Sequence, residues 1–333
     1  GKVEIEEVYR FANRQVRIGN HLYWDFPMLF DEMLHGLRKA ASRFSDIVSI
    51  GIDSWGVDYG LIDAAGNLLE NPRCYRDDAN VGVPERTFTD EEIKHHYAEA
   101  GIQILPINTI YQLVVRRDEN SSVLAAADRL LFMSDLFIYY LTGVALTDYC
   151  IATTSELIDA RSKDWNFNLI NSLRLPQDIF SEIVMPGTIR GTLLPYIADA
   201  TGLPKTVKVI SVGSHDTACA VYAVPFRDGE ESDSAFLSSG TWSLLGIVTD
   251  EPILTEAVRL AGFSNEGAVG GKIKLLQNIT GLWLLQNLMK EWESRGLRVD
   301  YPYLLGEAEK SAFDGIIDVD DPMFVTPGGM EEK

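Results

Sequence analysis

Two apolar segments of the chain each run directly into a short turn that contains glycine or aspartate. The first segment, residues 47–52, is dense in Ile and Val and ends at Asp53, and the second, residues 207–212, ends before Gly213. Apolar density of this kind predicts buried strands of a parallel sheet. Apolar residues at helical spacing precede the first strand, over residues 25–44. Strand, helix and strand in alternation predict an α/β fold.

Other segments carry weaker patterns. Alternating apolar and acidic residues predict a strand over residues 3–11. The best helical pattern covers residues 123–142, and Gly143 stands where a C-terminal cap would be. A polar segment at 225–233 divides the chain into predicted domains of residues 1–225 and 226–333. The other predicted elements are a strand at 21–24, a hairpin from 59–63 to 68–70, a helix at 91–100, a helix at 218–224, strands at 234–237 and 242–248, and a helix at 282–292.

Charge and cysteine usage exclude several classes of partner. The chain of 333 residues has 49 acidic and 29 basic side chains, a formal net charge of −20, which repels nucleic acid and anionic membranes. The cysteines Cys74, Cys150 and Cys219 lie far apart, which fits a reducing compartment and offers no zinc spacing. The longest apolar run, residues 130–141, is too short to span a bilayer. We therefore expect a cytoplasmic protein with a small-molecule ligand and no nucleic-acid or membrane partner.

The first motif that could carry chemistry covers residues 51–58. Two glycines flank Trp55, and Asp53 and Asp58 bracket the turn that contains Gly56. Glycine lets the backbone approach a ligand closely, a Trp face packs on the apolar side of a sugar, and carboxylates accept hydrogen bonds from hydroxyls. The alternative is an ordinary turn with a core Trp.

The second motif, residues 213–217, lies between a predicted strand and a predicted helix. Asp216 would stand at the start of that helix, where carboxylates are common caps. It would also lie at the carboxyl end of a strand, where α/β folds place their sites, so that it could act as a general base. The adjacent His215 could form a hydrogen bond to a ligand.

Two further motifs are polar. Residues 237–243 carry hydroxyl side chains around a Gly, which could bind phosphate or form an ordinary hairpin, and the absence of Lys excludes a Walker-type loop. Asn278 precedes the last predicted helix and Gln286 lies within it, and Asn at a helix start is usually a cap. Glu32 and His35 have helical spacing but no second His nearby, so no metal-ligating residues are predicted.

Taken together and in this order, the motifs resemble the FGGY carbohydrate kinases, in the superfamily of sugar kinases, heat-shock proteins and actin. Within that family, residues 103–109 and 238–243 resemble rhamnulokinases more than glycerol or xylulose kinases. The resemblance implies an α/β fold with two ribonuclease H-like (actin-like ATPase) domains and a cleft between them. The matching segments are residues 50–58, 74–77, 101–113, 214–218, 237–244 and 277–286.

The resemblance also implies a reaction and a set of site residues. The reaction is ATP-dependent phosphorylation of L-rhamnulose to its 1-phosphate, with Mg²⁺ bridging the phosphates and Asp216 as the proton acceptor. The implied sugar contacts are Trp55, Gly56, Arg76, Asn108 and His215, and the implied nucleotide contacts are Thr241, Asn278 and Gln286. A kinase for another ketose such as L-fuculose, and a sugar-binding protein without catalysis, stay open as alternatives. The expected partners are the sugar and ATP, and the expected state is a monomer or a weak homodimer.

The resemblance further implies parts that this sequence does not contain. The family opens with a phosphate-binding hairpin, Asp-Leu-Gly followed by small hydroxyl residues, and carries a Gly-Gly-Gly adenosine motif in its last third. We expect this chain to begin after the hairpin and to stop before the glycine motif, so that the second domain is incomplete. On that expectation the chain alone has little kinase activity.

Overall fold

The structure is a computed structural model that describes residues 4–227, 233–297, 299–319, 321–324 and 329–333. It divides into a first unit, Gly1–Pro225 with Val248–Leu275, and a second unit, Phe226–Ile247 with Leu276–Lys333. Both units mix helices and strands. The strands are β1 (Gln15–Ile18), β2 (His21–Trp24), β3 (Ser49–Gly51), β4 (Tyr59–Ile62), β5 (Arg129–Phe132), β6 (Thr147–Asp148), β7 (Ile158–Asp159), β8 (Asp164–Trp165), β9 (Ile183–Val184), β10 (Ile189–Thr192), β11 (Lys208–Ile210), β12 (Ala235–Ser239), β13 (Trp242–Thr249), β14 (Phe263–Gly267) and β15 (Ile273–Thr280).

Most of the α-helices belong to the first unit. Those of the first unit are α1 (Phe26–Arg43), α2 (Val83–Thr87), α3 (Asp90–Ala100), α4 (Thr109–Asp118), α5 (Ser122–Ala126), α6 (Met133–Thr142), α7 (Tyr149–Ala152), α8 (Phe167–Ser172), α9 (Pro195–Thr201), α10 (Asp216–Tyr222) and α11 (Glu256–Leu260). Those of the second unit are α12 (Trp283–Ser294) and α13 (Tyr301–Lys310). The described helices confirm the predictions at 25–44, 91–100, 218–224 and 282–292, with ends shifted by a few residues.

Helix α1 starts where its sequence signals place it. The carboxylate of Asp25 accepts a hydrogen bond from the backbone N–H of Met28 at 3.2 Å, and a proline stands in the first turn. Such a cap satisfies an N–H that has no partner within the helix. Phe26 and Leu29 then face the interior and are buried. The helix thereby covers one side of the sheet that carries the candidate site.

That sheet has the order β10-β11-β3. Strand β3 runs parallel to β11, with Ser49 opposite Lys208 and Gly51 opposite Ile210. The prediction of a fully buried strand over 47–52 was wrong in extent, because only three residues pair and Ser49 and Gly51 are exposed. The parallel pairing itself brings the turns that follow the two strands to the same edge of the sheet.

The prediction of one helix over 123–142 was wrong. The segment forms α5, then β5, then α6, and only the cap at Gly143 is confirmed, where the backbone N–H donates to the carbonyl of Tyr139. Strand β5 pairs antiparallel with β4 and is almost completely buried. Helical periodicity does not distinguish a short apolar strand that is buried on both faces from a buried helix.

The strand predicted over 3–11 was also wrong for its described part. Residues 4–11 form no regular element, and Val3 lies outside the described residues. Ile5 is 95% exposed, so the alternating apolar residues of this segment have no face to bury. The hairpin predicted at 59–70 forms its turn, but its second arm is reduced to a bridge between Ile62 and Leu68, and β4 also pairs with β5.

Candidate functional site

The turn after β3 and the turn after β11 are joined by backbone hydrogen bonds within the first unit. The N–H of Ser54 donates to the carbonyl of Ser214 at 3.0 Å, and the N–H of Asp216 donates to the carbonyl of Ser54 at 2.9 Å. Ser54 and His215 also form a parallel bridge. The structure therefore brings together the Trp-Gly turn and the His-Asp pair that the sequence analysis had identified separately.

Trp55 is fixed in this turn by a buried carboxylate. Its indole N–H donates to Asp58 Oδ2 at 2.9 Å, and the indole N–H of Trp24 donates to the same oxygen at 2.5 Å. The two indole rings lie 4.5 Å apart between centroids. Trp55 itself is partly exposed, so part of a ring held by hydrogen bonding is accessible to a ligand.

Asp58 is completely buried, and its contacts explain its charge state. Burial raises the pKa of Asp58 to about 7, although hydrogen bonds from Trp24, Trp55, the backbone of Tyr75 and Gln112 each oppose the rise. A carboxylate normally loses its proton near pH 4. At neutral pH this group therefore lies near its point of half-protonation, beside the indole N–H groups of Trp24 and Trp55.

The backbone at Gly56 and Val57 is held in a strained conformation. Val57 has a φ of 65°, a left-handed conformation that is uncommon for a β-branched residue. Its N–H donates to Thr154 Oγ1 at 3.0 Å, and its carbonyl accepts from Thr109 Oγ1 at 2.7 Å. A Cβ on Gly56 would lie only 3.1 Å from Thr154 atoms, so a larger residue here would require the Thr154 side chain to shift. Strain that is imposed by several surrounding contacts is typical of ligand sites.

His215 and Asp216 form the other half of the site. Asp216 is the first residue of α10, and its Oδ1 accepts a hydrogen bond from the N–H of Thr217 at 2.6 Å. The same oxygen lies 3.3 Å from His215 Nε2. The side chain of Asp216 is 58% exposed, whereas that of His215 is 10% exposed. Asp216 is thus inside the helix and not its cap, because the N-cap is His215 and no side chain caps the helix. Its carboxylate is accessible to a substrate.

Two charged residues contact His215 at its Nδ1 atom. The sequence analysis did not connect either of them with the site. Glu266 Oε2 lies 3.3 Å from His215 Nδ1, and Lys274 Nζ lies 3.4 Å from the same nitrogen. Lys274 and Glu266 are 3.2 Å apart and both are buried. Burial alone would raise the pKa of Glu266, but Lys274 and His215 outweigh it and lower the pKa to about 2.

Asp53 is a further acidic group at this edge of the sheet. Partial desolvation raises its pKa, a backbone hydrogen bond opposes the rise, and the charge of Asp216 adds to it.

Among the described residues, no three His, Cys, Asp or Glu side chains come together as the ligands of a metal ion would.

The remaining predicted sugar contacts, Arg76 and Asn108, lie in different surroundings. Arg76 is partly buried, and its Nε donates to the hydroxyl of Tyr75 at 3.2 Å. Asn108 is buried, and its amide nitrogen donates to the carbonyl of Gln103 at 2.9 Å and to Glu156. These bonds give Asn108 a part in the interior of the first unit. Contact of either side chain with a sugar stays a prediction.

The predicted nucleotide residues lie in the second unit. Thr241 Oγ1 is 3.3 Å from the side-chain amide of Gln286, so the turn before β13 is bonded to α12. Gly281 is enclosed at this junction, because a Cβ there would lie 2.8 Å from the carbonyl oxygen of Gly240. Asn278 precedes the last helix as predicted, but it is not the helix cap, since it lies within β15 and the N-cap of α12 is Leu282.

None of the helices in the described part of the chain has both the length and the apolar character that crossing a membrane requires.

Comparison with known proteins shows which family the chain belongs to. Residues 11–223 match the N-terminal domain and residues 235–332 the C-terminal domain of the FGGY family of carbohydrate kinases. The whole chain is 40% identical to a rhamnulokinase of Bacteroides thetaiotaomicron and covers 67% of it. It is 34% identical to a rhamnulokinase of Oceanobacillus iheyensis, of which it covers 69%, and 99% of the chain is 37% identical to one of Enterococcus faecalis, of which it covers 65%. The chain thus spans about two thirds of the length of these relatives.

Solved structures show the same fold at low sequence identity. A xylulose kinase from Lactobacillus acidophilus superposes with a TM-score of 0.74 at 16% identity, over 90% of this chain and 60% of that one. A glycerol kinase from Plasmodium falciparum, solved with ADP, superposes with a TM-score of 0.72 at 14% identity, over 90% of this chain and 61% of that one. The predicted α/β fold with N- and C-terminal domains of the FGGY type is confirmed. The boundary predicted between residues 225 and 226 stays a prediction.

Proposed function

The chain belongs to the FGGY family of carbohydrate kinases, and we propose that it acts in the ATP-dependent phosphorylation of L-rhamnulose at its terminal hydroxyl. One observation carries the proposal. The turn with Trp55 and Gly56 is hydrogen-bonded to the turn with His215 and Asp216, at the carboxyl ends of two parallel strands. This is where α/β folds bind their ligands. The identity to rhamnulokinases supports the choice of sugar.

The sugar would bind against the Trp55 ring. Asp58 holds that ring in place, so the platform exists before the ligand arrives and little entropy is lost on binding. Gly56 would allow the sugar to approach the backbone closely, because glycine has no Cβ. His215 lies at the opposite side of the joined turns and would form a hydrogen bond to a sugar hydroxyl.

Asp216 would accept the proton of the attacking hydroxyl. Its carboxylate is accessible, and the backbone bond from its N–H to Ser54 fixes it relative to the Trp-Gly turn. Phosphoryl transfer depends mainly on positioning and on charge stabilisation, and a positioned base contributes about 10²- to 10⁴-fold. Because Asp216 is hydrogen-bonded to the turn that carries Trp55, the proposed base is positioned relative to the proposed sugar site.

The nucleotide would contact Thr241, Gln286 and Asn278. The first two are already hydrogen-bonded to each other, and either bond can be exchanged for one to a nucleotide. When Mg²⁺ is bound with the nucleotide, it neutralises charge on the phosphate oxygens. The described residues supply no complete metal site, so its ligands would come mainly from the phosphates and water.

The proposal is tested by a coupled ADP-release assay on the protein in the longest form that its gene encodes. L-Rhamnulose, L-fuculose, D-xylulose and glycerol are compared with wild type, Asp216→Ala and the control Asp199→Ala, which removes an exposed carboxylate on α9. We expect L-rhamnulose to be preferred and its turnover to be lost only in Asp216→Ala. Preference for another ketose would replace the substrate. Sugar binding without any turnover by wild type would contradict the kinase function.

A further inference from the structure

A buried cluster of three titratable side chains lies behind the candidate site. Lys274 on β15 and Glu266 on β14 both contact the imidazole of His215, and all three side chains belong to the first unit. The side chain of Lys274 is fully buried and that of Glu266 is 7% exposed. A buried lysine is rare unless a partner pairs with it, and here the carboxylate of Glu266 at 3.2 Å is that partner.

The donors in this cluster determine which ring nitrogen of His215 carries hydrogen. The ammonium of Lys274 donates and cannot accept, so His215 Nδ1, at 3.4 Å, must offer a lone pair to it. On the other side of the ring, Nε2 lies 3.3 Å from Asp216 Oδ1, and a carboxylate oxygen accepts. Hydrogen on Nε2 satisfies both contacts.

The opposite tautomer satisfies neither of these contacts. With hydrogen on Nδ1, the ring N–H would face the Lys274 ammonium, and the lone pair of Nε2 would face the Asp216 carboxylate. It would gain only a contact with Glu266 Oε2 at 3.3 Å, an oxygen that already pairs with Lys274. In a histidine, the hydrogen bond at one nitrogen sets the state of the other nitrogen.

We propose that Lys274 and Glu266 are positioning residues that hold His215 as the Nε2–H tautomer, with its N–H directed toward the substrate side of the site. Lys274 orients the ring through Nδ1, and Glu266 keeps the Lys274 ammonium stable in the interior. When the sugar is bound, the Nε2–H would donate to a substrate hydroxyl oxygen in place of Asp216 Oδ1, and Asp216 would accept from the substrate. The sugar contact rests on the proposed function, whereas the tautomer does not.

The tautomer is measured by two-bond ¹H–¹⁵N correlation spectra of the histidine rings. The chain has five histidines, and the His215 signals are assigned by their loss in His215→Gln. We expect the wild-type ring to be neutral with hydrogen on Nε2. In Lys274→Met, Glu266 stays as the charged group that faces Nδ1 among the described residues, so Nδ1 should gain a hydrogen beside Glu266 while Nε2 keeps its hydrogen beside Asp216. The control Lys272→Met removes a more exposed lysine beside β15 and should leave the spectrum unchanged.

A second variant keeps the proposal testable if Lys274→Met does not fold. The single variant leaves a buried carboxylate without its counter-ion, whereas Lys274→Met with Glu266→Gln removes both charges together. In this double variant we expect mixed tautomers and a rise of roughly 3- to 10-fold in the KM for the sugar, the value of one lost hydrogen bond. The KM for ATP should change less than twofold, because the nucleotide is proposed to contact Thr241, Asn278 and Gln286 and not His215.

Three results would overturn the proposal. They are a wild-type His215 with hydrogen on Nδ1, a doubly protonated ring at neutral pH, and a double variant that keeps both the wild-type tautomer and the wild-type sugar KM. A purely structural role would lower the amount of active enzyme, and thus the apparent kcat, without raising the sugar KM. If wild type phosphorylates no sugar, the proposed function fails, but the spectra still decide the tautomer.

Discussion

Asp58 gives the most quantitative prediction, because its charge is linked to folding. Burial, opposed by the hydrogen bonds from Trp24 and Trp55, raises its pKa from 3.8 to about 7. Between these two pH values the folded state holds a proton that the unfolded state releases. Stability therefore falls as pH rises from about 4 to about 7, and no longer changes through this group above that range.

The expected size of the stability loss follows from the raised pKa of Asp58. A rise of about three pKa units, at about 1.4 kcal/mol per unit, makes the loss of unfolding free energy about 4 kcal/mol. The variant Asp58→Asn has no proton to release, so it removes this pH dependence. Its amide oxygen can still accept from both indoles, but its amide nitrogen would face the Nε2 group of Gln112 and lose a contact of 3.3 Å. That loss is about 1–2 kcal/mol and does not depend on pH.

The assay is urea denaturation of wild type and Asp58→Asn at intervals between pH 4 and pH 8. The unfolding free energy of the variant minus that of wild type should rise by about 4 kcal/mol over this range. The control Asp199→Asn, at an exposed position, should give a constant difference. A difference for Asp58→Asn that is constant to within about 1 kcal/mol, or that falls with pH, would refute the reasoning.

Two further predictions concern packing and a buried hydrogen bond. Gly56→Ala places a Cβ 3.1 Å from Thr154 and should lower the unfolding free energy by about 1–3 kcal/mol and weaken sugar binding in calorimetry. Its control, Gly306→Ala, adds a Cβ with no atom within 4 Å in helix α13 and should stabilise by up to about 1 kcal/mol, and an equal effect of both would contradict the steric argument. Glu156→Gln changes a buried side chain that lies 2.8 Å from His96 Nε2 and should destabilise by about 1–3 kcal/mol in urea denaturation, and a loss below about 0.5 kcal/mol would contradict it.

The parts of the fold that the sequence predicts well are those with local signals. The cap at Asp25 and the capping box at Thr89 place the starts of α1 and α3, because the bonds that satisfy the helix ends lie within a few residues. The segment around Leu130 and Leu131 has no such signal. Its assignment to β5 is decided by pairing with β4, a tertiary interaction that no window of sequence contains.

The site residues also fall into two groups, those that local motifs reveal and those that only tertiary contacts bring together. The turns with Trp55 and with Asp216 are each visible as motifs, and their meeting follows from the rule that parallel strands end at one edge of a sheet. The contact of Lys274 with His215 joins residues 59 positions apart and has no motif. One signal was present, since Glu266 lies in β14, a strand made mostly of polar residues that is nonetheless buried. A buried polar strand needs internal partners, which points to a cluster of charges.

The most direct test of the central claim compares wild type with Asp216→Asn in two measurements on the same preparation. Calorimetry gives the affinity for L-rhamnulose, and the ADP-release assay gives its turnover. The account predicts that the affinity changes by less than about threefold, whereas kcat falls by about 10²- to 10⁴-fold because the proton acceptor is lost. Turnover within about tenfold of wild type would contradict the assignment of Asp216 as the general base.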